Sequence, residues 1–118
     1  MFVGSIKEDL SIEKRISITP DTAKNIINLG LSVCIEKNYA NHLGITDNTY
    51  ESVGVKIYNS SEEVINNCKL LTTVNCPSDE KILKLKDKTI LIGMLGPSKN
   101  QNKLEEISKK KINIFSLE

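Results

Sequence analysis

Arg15 is the single arginine among sixteen basic residues; the other fifteen are lysines. A guanidinium presents a planar donor fork that grips a carboxylate at two points, which an ammonium cannot do. A lone arginine in so lysine-rich a chain is therefore a candidate carboxylate ligand, and a surface ion pair with Glu13 is the plain structural alternative. His42 is the single histidine, in the segment Asn41-His42-Leu43-Gly44, with no cluster of Cys, Asp or Glu at metal-ligand spacing around it. It reads either as a general base or as a polar loop residue. The three cysteines, Cys34, Cys68 and Cys76, are odd in number and lack a CxxC spacing. They resemble neither a disulfide scaffold nor a zinc ribbon, and they predict reduced, mostly buried thiols in a cytosolic protein. Cys76, just before Pro77, is the one with a reactive alternative. Lys109-Lys110-Lys111 falls at a predicted helix C-terminus, where cations complement the dipole. No nucleophile–base pair can be assembled from spacing alone.

These residues must be positioned by short β-branched runs that alternate with helical patterns. Strands are expected over Phe2–Ile6, Leu31–Glu36, Val55–Tyr58, Lys69–Asn75, Thr89–Leu95 and Ile112–Leu117, with a further extended stretch at Arg15–Ile18. Thr19-Pro20 predicts a helix start, with Thr as N-cap and Pro at the first position, and Gly30 predicts its stop. Ala23, Ile26 and Ile27 form its apolar stripe. Thr46 or Asp47 caps a short helix closed by Gly54. Ser60 and Glu63 form a capping box for a helix to Asn67. Ser78 opens a helix carrying Ile82, Leu83 and Leu85, and Gln101–Lys110 forms one with Leu104 and Ile107 inward. Thr89–Leu95 is the most continuous apolar run, as expected of a parallel strand buried on both faces. The fold class that follows is α/β: a doubly wound, mostly parallel six-stranded sheet, a flavodoxin-like or Rossmann-like three-layer domain.

In such sheets ligands bind beyond the carboxyl ends of the strands. Four loops qualify: Lys7–Lys14, Lys37–Ile45, Asn75–Ser78 and Gly96–Asn100. None carries a GxGxxG or GxxxxGK[ST] pattern, so the dinucleotide fingerprint is absent. No residue is assigned to catalysis, cofactor binding or a metal.

Composition narrows the classes. The 118 residues are 39% apolar and 26% charged, and with the six glycines counted the apolar share is roughly 44%, near the globular norm. One domain is expected, too short to hold the nucleotide and substrate domains of a two-domain dehydrogenase together. A formal net charge of +1 speaks against nucleic acid as a partner. The longest apolar run, Ile90–Leu95, is far short of a membrane span, and Lys7, Glu8 and Asp9 interrupt any signal-peptide core.

Several blocks carry a family resemblance: Val3-Gly4-Ser5-Ile6-Lys7-Glu8, Glu13-Lys14-Arg15-Ile16-Ser17-Ile18-Thr19-Pro20, Leu29-Gly30, Glu36, Thr46-Asp47, Tyr50 and Gly54. Val74-Asn75-Cys76-Pro77, Leu91-Ile92-Gly93-Met94-Leu95-Gly96-Pro97 and Phe115-Ser116-Leu117-Glu118 continue it. In order and spacing they resemble the N-terminal domain of the alanine dehydrogenase and nicotinamide nucleotide transhydrogenase α-subunit family, over essentially the whole chain. In alanine dehydrogenases, the resemblance implies, the Arg matching Arg15 and a Lys at position 75 hold a carboxylate substrate, and a His at position 96 serves acid–base chemistry. This chain keeps Arg15 but has Asn75 and Gly96, so it looks more like the transhydrogenase branch, although Ser5 stands where a Pro is usual and Ser98-Lys99 where Ala-Gln is.

The resemblance implies a residues 1–118 segment of a longer two-domain protein, whose NAD-binding Rossmann domain lies outside this chain. The expected function is the N-terminal part of the NAD(H)-binding component of a proton-translocating NAD(P) transhydrogenase, a homodimer with NADP(H)-binding and membrane partner components, peripheral to the membrane on its cytoplasmic side. Arg15 and Asn75 would line its cleft. The fragment by itself is expected to bind no cofactor and to be inactive. Because the chain stops right after an apolar strand, it reads as a fragment boundary, and self-association is expected of it. Two alternatives stand beside this one: the substrate domain of an alanine- or lysine-type dehydrogenase acting on 2-oxo acids, and a stand-alone non-catalytic binding module.

Overall fold

The computed structural model describes residues 1–94 and 112–117. Six strands, β1 (Phe2–Ser5), β2 (Ser32–Glu36), β3 (Lys56–Tyr58), β4 (Leu70–Asn75), β5 (Ile90–Met94) and β6 (Asn113–Ser116), form one sheet in the order β3-β2-β1-β4-β5-β6. Every neighbouring pair is parallel. This is the strand order of doubly wound nucleotide-binding domains, in which the winding reverses between β1 and β4.

Local signals set the helices. In α1 (Pro20–Asn28) the Thr19 side chain accepts from the Thr22 N–H, Pro20 occupies the first turn, and Gly30 takes a φ of +94° just past the end. Helix α2 (Asp47–Ser52) is preceded by Thr46 and closed by Gly54 at φ +100°. For α3 (Ser61–Asn67), Ser60 accepts from the Glu63 N–H as its sequence predicts. The return bond of the capping box is displaced by one residue, since the Glu63 carboxylate accepts from the Asn59 N–H. Helix α4 (Asp79–Leu83) is a short turn beginning after Ser78.

Helices α1 and α2 cover one face of the sheet, where Val3, Val33, Ile35, Ala23 and Tyr50 pack together. Helices α3 and α4 cover the other, where Cys34, Leu71 and Leu91 meet Val64, Ile65 and Ile82. Gly4 is a place where the backbone needs glycine: a Cβ there would stand 2.8 Å from Cys68 Cβ and 2.9 Å from Val64 Cγ1. Helix α3 thus rests directly on β1.

One expectation is corrected. Two-faced burial is most continuous in β2, where Val33, Cys34 and Ile35 are all buried, and not in β5, where Ile90 and Ile92 are half-buried. The reason is position: β2 lies under both helical layers. Leu83 points outward at 62% exposure because α4 ends at that residue, and Leu85, beyond it, fills the core instead. The Arg15–Ile18 stretch is extended, as its sequence predicts; among the described residues it pairs with no strand and is held by side chains. The predicted helix Gln101–Lys110, the loop Gly96–Asn100, Lys109–Lys111 and Glu118 lie outside the described residues.

Candidate functional site

The reversal between β1 and β4 leaves a crevice at their carboxyl ends, the place where open parallel sheets bind ligands. Two of the four predicted loops converge there. The segment after β1 contributes Ile6, Glu8 and Ile12, the end of β4 and the residues beyond it contribute Asn75, Pro77 and Lys81, and between them is a cleft of about 370 Å³. Thr73 also lines it, with its Oγ1 buried and making no hydrogen bond among the described residues.

Glu8 closes the floor of this crevice. Its Oε2 accepts from the Val74 N–H and its Oε1 from the Asn75 N–H, both at 3.0 Å. The carboxylate thereby spans from the end of one strand to the end of the other. Burial pushes the Glu8 carboxyl above its usual range, outweighing the two amide bonds and the attraction of Lys81, while Glu13 adds repulsion.

Arg15 lies at the same end of the sheet but does not line the cleft. Its Nε and Nη2 donate to the two carboxylate oxygens of Glu13 at 2.9 and 2.8 Å, and its own backbone N–H donates to Glu13 Oε2 at 2.9 Å. This grip holds the Glu13 carboxyl down to about 2. The remaining arm, Nη1, reaches the sulfur of Met94 at 3.9 Å. Met94 sits opposite Asn75 in the β4–β5 register. Arg15 and Asn75, the two residues singled out in the sequence, are therefore brought to one rim through Met94, with no direct bond between them among the described residues.

The segment bearing Arg15 is fixed from behind. Tyr39, in the loop after β2, is 1% exposed, and its hydroxyl accepts from the Ser17 N–H at 3.0 Å and the Ile18 N–H at 3.2 Å. The same hydroxyl lies 2.9 Å from Ser5 Oγ, which donates to the Thr72 carbonyl at 2.6 Å. Tyr50 donates to the Ile18 carbonyl at 2.7 Å and packs edge-on against Tyr39. Burial raises both phenols, so they stay neutral at ordinary pH.

His42 is a tie in this scaffold: Nε2 donates to the Lys14 carbonyl at 2.8 Å, and the residue is exposed in a 3-10 turn over Asn41–Leu43. Cys34 and Cys68 are buried, and burial pushes their thiols up to about 12 and about 11, which makes them unreactive. Cys76 is half-buried and lines the cleft. Among the described residues no group of acidic, His and Cys side chains could hold a metal ion, and no helix is long and apolar enough to cross a membrane.

Among the described residues of this crevice there is no glycine-rich turn that would cradle a pyrophosphate. The β1–α1 connection has no glycine between Lys7 and Thr19, and the amides at the end of β4 are engaged by Glu8. Sequence reasoning did not single out Glu8, Tyr39 or Lys81. For Glu8 a signal was present: an acidic residue just beyond the first strand of a parallel sheet, at the end where ligands and loops meet. Tyr39 carried none, because only the fold brings it to Ser17.

A family model described as alanine dehydrogenase/PNT, N-terminal domain, matches residues 4–118. The chain belongs to this family. It is 29% identical over its full length to the NAD(P) transhydrogenase subunit alpha of Haemophilus influenzae, covering 23% of that protein. It is 30% identical over 80% of its length to the alanine dehydrogenase of Methanococcus maripaludis, covering 26% of that one. Among solved structures, the transhydrogenase from Sinorhizobium meliloti superposes with a TM-score of 0.91 at 20% identity, over 98% of this chain and 34% of that one. The chain thus spans about a quarter to a third of the relatives it matches, and the doubly wound fold expected from its sequence is that of the family.

Proposed function

We propose that this chain is the N-terminal, substrate-domain-like part of the NAD(H)-binding component of a proton-translocating NAD(P) transhydrogenase, in which hydride passes from NADH to NADP⁺. It forms one wall of the NAD(H) cleft. The nucleotide itself is held by a Rossmann domain elsewhere in the longer polypeptide, and NADP(H) by a partner component. A membrane component completes the coupling to protons, and the NAD(H)-binding component works as a homodimer. On this reading the chain sits on the cytoplasmic side of the membrane through its partners. Its own contribution is rigid shape: Arg15 and Asn75 at the rim, with the loop between β1 and α1 fixed at both ends.

The observation that carries this reading is residue 75. Where the alanine dehydrogenase branch has a lysine to hold a carboxylate, this chain has a neutral Asn75, and the Arg15 fork nearby is already engaged by Glu13. Two cations that would hold a 2-oxo acid are thereby reduced to one, and that one is paired. Arg15 also supports a second reading, as a 2-oxo-acid dehydrogenase domain, because its side chain is 64% exposed and, among the described residues, its Nη1 is engaged only by a weak thioether acceptor. Isothermal titration of the intact polypeptide with pyruvate and 2-oxoglutarate separates them. The transhydrogenase reading expects no binding in the millimolar range, with NADH-dependent reduction of an NADP⁺ analogue once the partner components are added. Tight binding of either acid, abolished in Arg15→Ala, would overturn it in favour of the dehydrogenase.

A further inference from the structure

We infer that Glu8 is the positioning residue of this cleft: its carboxylate ties the β1–α1 loop to the end of β4 and thereby sets Asn75 against the segment that carries Arg15. The inference rests on the reading above for what the cleft serves, but the tie itself is a matter of geometry. Each oxygen takes one of two consecutive backbone N–H groups, both at 3.0 Å, across 66 and 67 residues of chain. No neutral side chain of the same length can do this, because an amide has a single acceptor oxygen and its NH₂ would face the second N–H. The two amides belong to the irregular end of β4, where the register to β5 shifts between Thr72 and Asn75. Beyond that shift Asn75 rejoins the ladder opposite Met94, and Glu8 adds a second, side-chain hold on its N–H and on that of Val74.

The tie is also charge-sensitive. Lys7, Asp9, Glu13 and Arg15 are on its own loop, Tyr39 approaches from the loop after β2, and Cys76 and Lys81 approach from the β4–α4 side. Burial works against the ionised form more than Lys81 and the amides support it. A protonated Glu8 keeps one good acceptor and releases one amide, so Asn75 loses half of its local tie as pH falls through the raised midpoint, even though relief of the buried charge favours the folded chain as a whole.

Amide-resolved NMR of this chain tests the tie without reference to activity. The Val74 and Asn75 N–H resonances are expected to titrate together, with a single midpoint above that of an ordinary glutamate, and this step is expected to vanish in Glu8→Gln. If Glu8→Gln does not fold, Glu8→Asp serves: one methylene shorter, it cannot reach both amides, and one of the two resonances should lose its titration. Flat Val74 and Asn75 resonances in the unmodified chain would overturn the inference, as would a step unchanged in either variant. In the intact polypeptide with its partner components, Glu8→Gln is expected to raise KM for NADH about tenfold with kcat within twofold, and to remove an acid limb from the pH profile of kcat/KM. An unaltered KM and profile would refute the positioning role. If the unmodified protein transfers no hydride at all, the functional reading fails while the amide titration still decides the tie.

Discussion

The loop between β1 and α1 is held at its two ends by different chemistry. At the end nearest β1, the cleft is partly open, and the tether is a carboxylate, Glu8, on two amides. At the end nearest α1, Ile18, Tyr39 and Tyr50 are fully buried, and the tethers are neutral hydroxyls: Tyr39 accepting from Ser17 and Ile18, and Tyr50 donating to the Ile18 carbonyl. A fully buried charge would cost far more than a phenol that finds all its partners. The difference teaches that one loop can have a pH-indifferent anchor and a pH-sensitive one, with Arg15 between them and nearer to the indifferent anchor.

The largest expected effect removes the platform beneath both anchors. Gly4→Ala places a methyl group within 3 Å of Cys68 Cβ and Val64 Cγ1, neither of which lies at the far end of a flexible side chain. Helix α3 or β1 must move, at a cost of about 3 kcal/mol by the usual penalty for overpacking. Urea unfolding should show the midpoint falling with little change in slope. A loss below about 0.5 kcal/mol would mean that α3 yields freely, and that β1 is not the fixed base from which the two anchors diverge.

Next comes the buried anchor alone. Tyr39→Phe keeps the ring and its edge-on contact with Tyr50 but leaves two N–H groups without an acceptor and removes one of the two partners of Ser5 Oγ. About 2 kcal/mol of stability should be lost, the typical cost of buried groups left unsatisfied. Because both phenols stay neutral, that loss should be the same at pH 5 and pH 8. A loss that grew or shrank across this range would erase the contrast between the two ends of the loop.

Much of this scaffold was legible in the sequence because its signals are local. Thr19-Pro20, Thr46 with Gly54, Ser60 with Glu63, and the six β-branched runs each specify an element through the residues beside it, and the strand–helix alternation then implies a parallel sheet. The Ser60 box slipped by one residue, and Leu83 faced outward, for the same reason: helix ends are decided by what the next few residues can pack against. The site was legible only in part. Arg15 stood out by composition, and so did its Glu13 partner, two residues away. Asn75 stood out through the family resemblance, as a departure at a position with a known occupant. Glu8 showed only its place just beyond the first strand, and Tyr39 and Ser5 showed nothing of their roles, because what all three do depends on contacts between residues 21 to 67 positions apart, and no spacing rule encodes such distances.

The smallest effect sets the two carboxylates of the loop against each other. Arg15 holds Glu13 down to about 2, below the ordinary 4.5, so Glu13 contributes stability that is fully present above about pH 4.5 and is lost as pH falls through about 2. Glu8 is shifted the other way, so its contribution is present below pH 4.5 and declines as pH rises through its raised midpoint. The Glu13–Arg15 pair is largely solvated on the arginine side, which keeps its effect modest and sensitive to salt. Thermal melts of Glu13→Gln should therefore show a small deficit against the unmodified chain at pH 6 that closes as pH approaches 2 and narrows in high salt. Glu8→Gln should show the reverse trend, faring better against the unmodified chain as pH rises from 4 to 7. Parallel curves for the two variants would mean that the carboxylates share one environment, and that the cleft end and the arginine end of the loop are not electrostatically distinct.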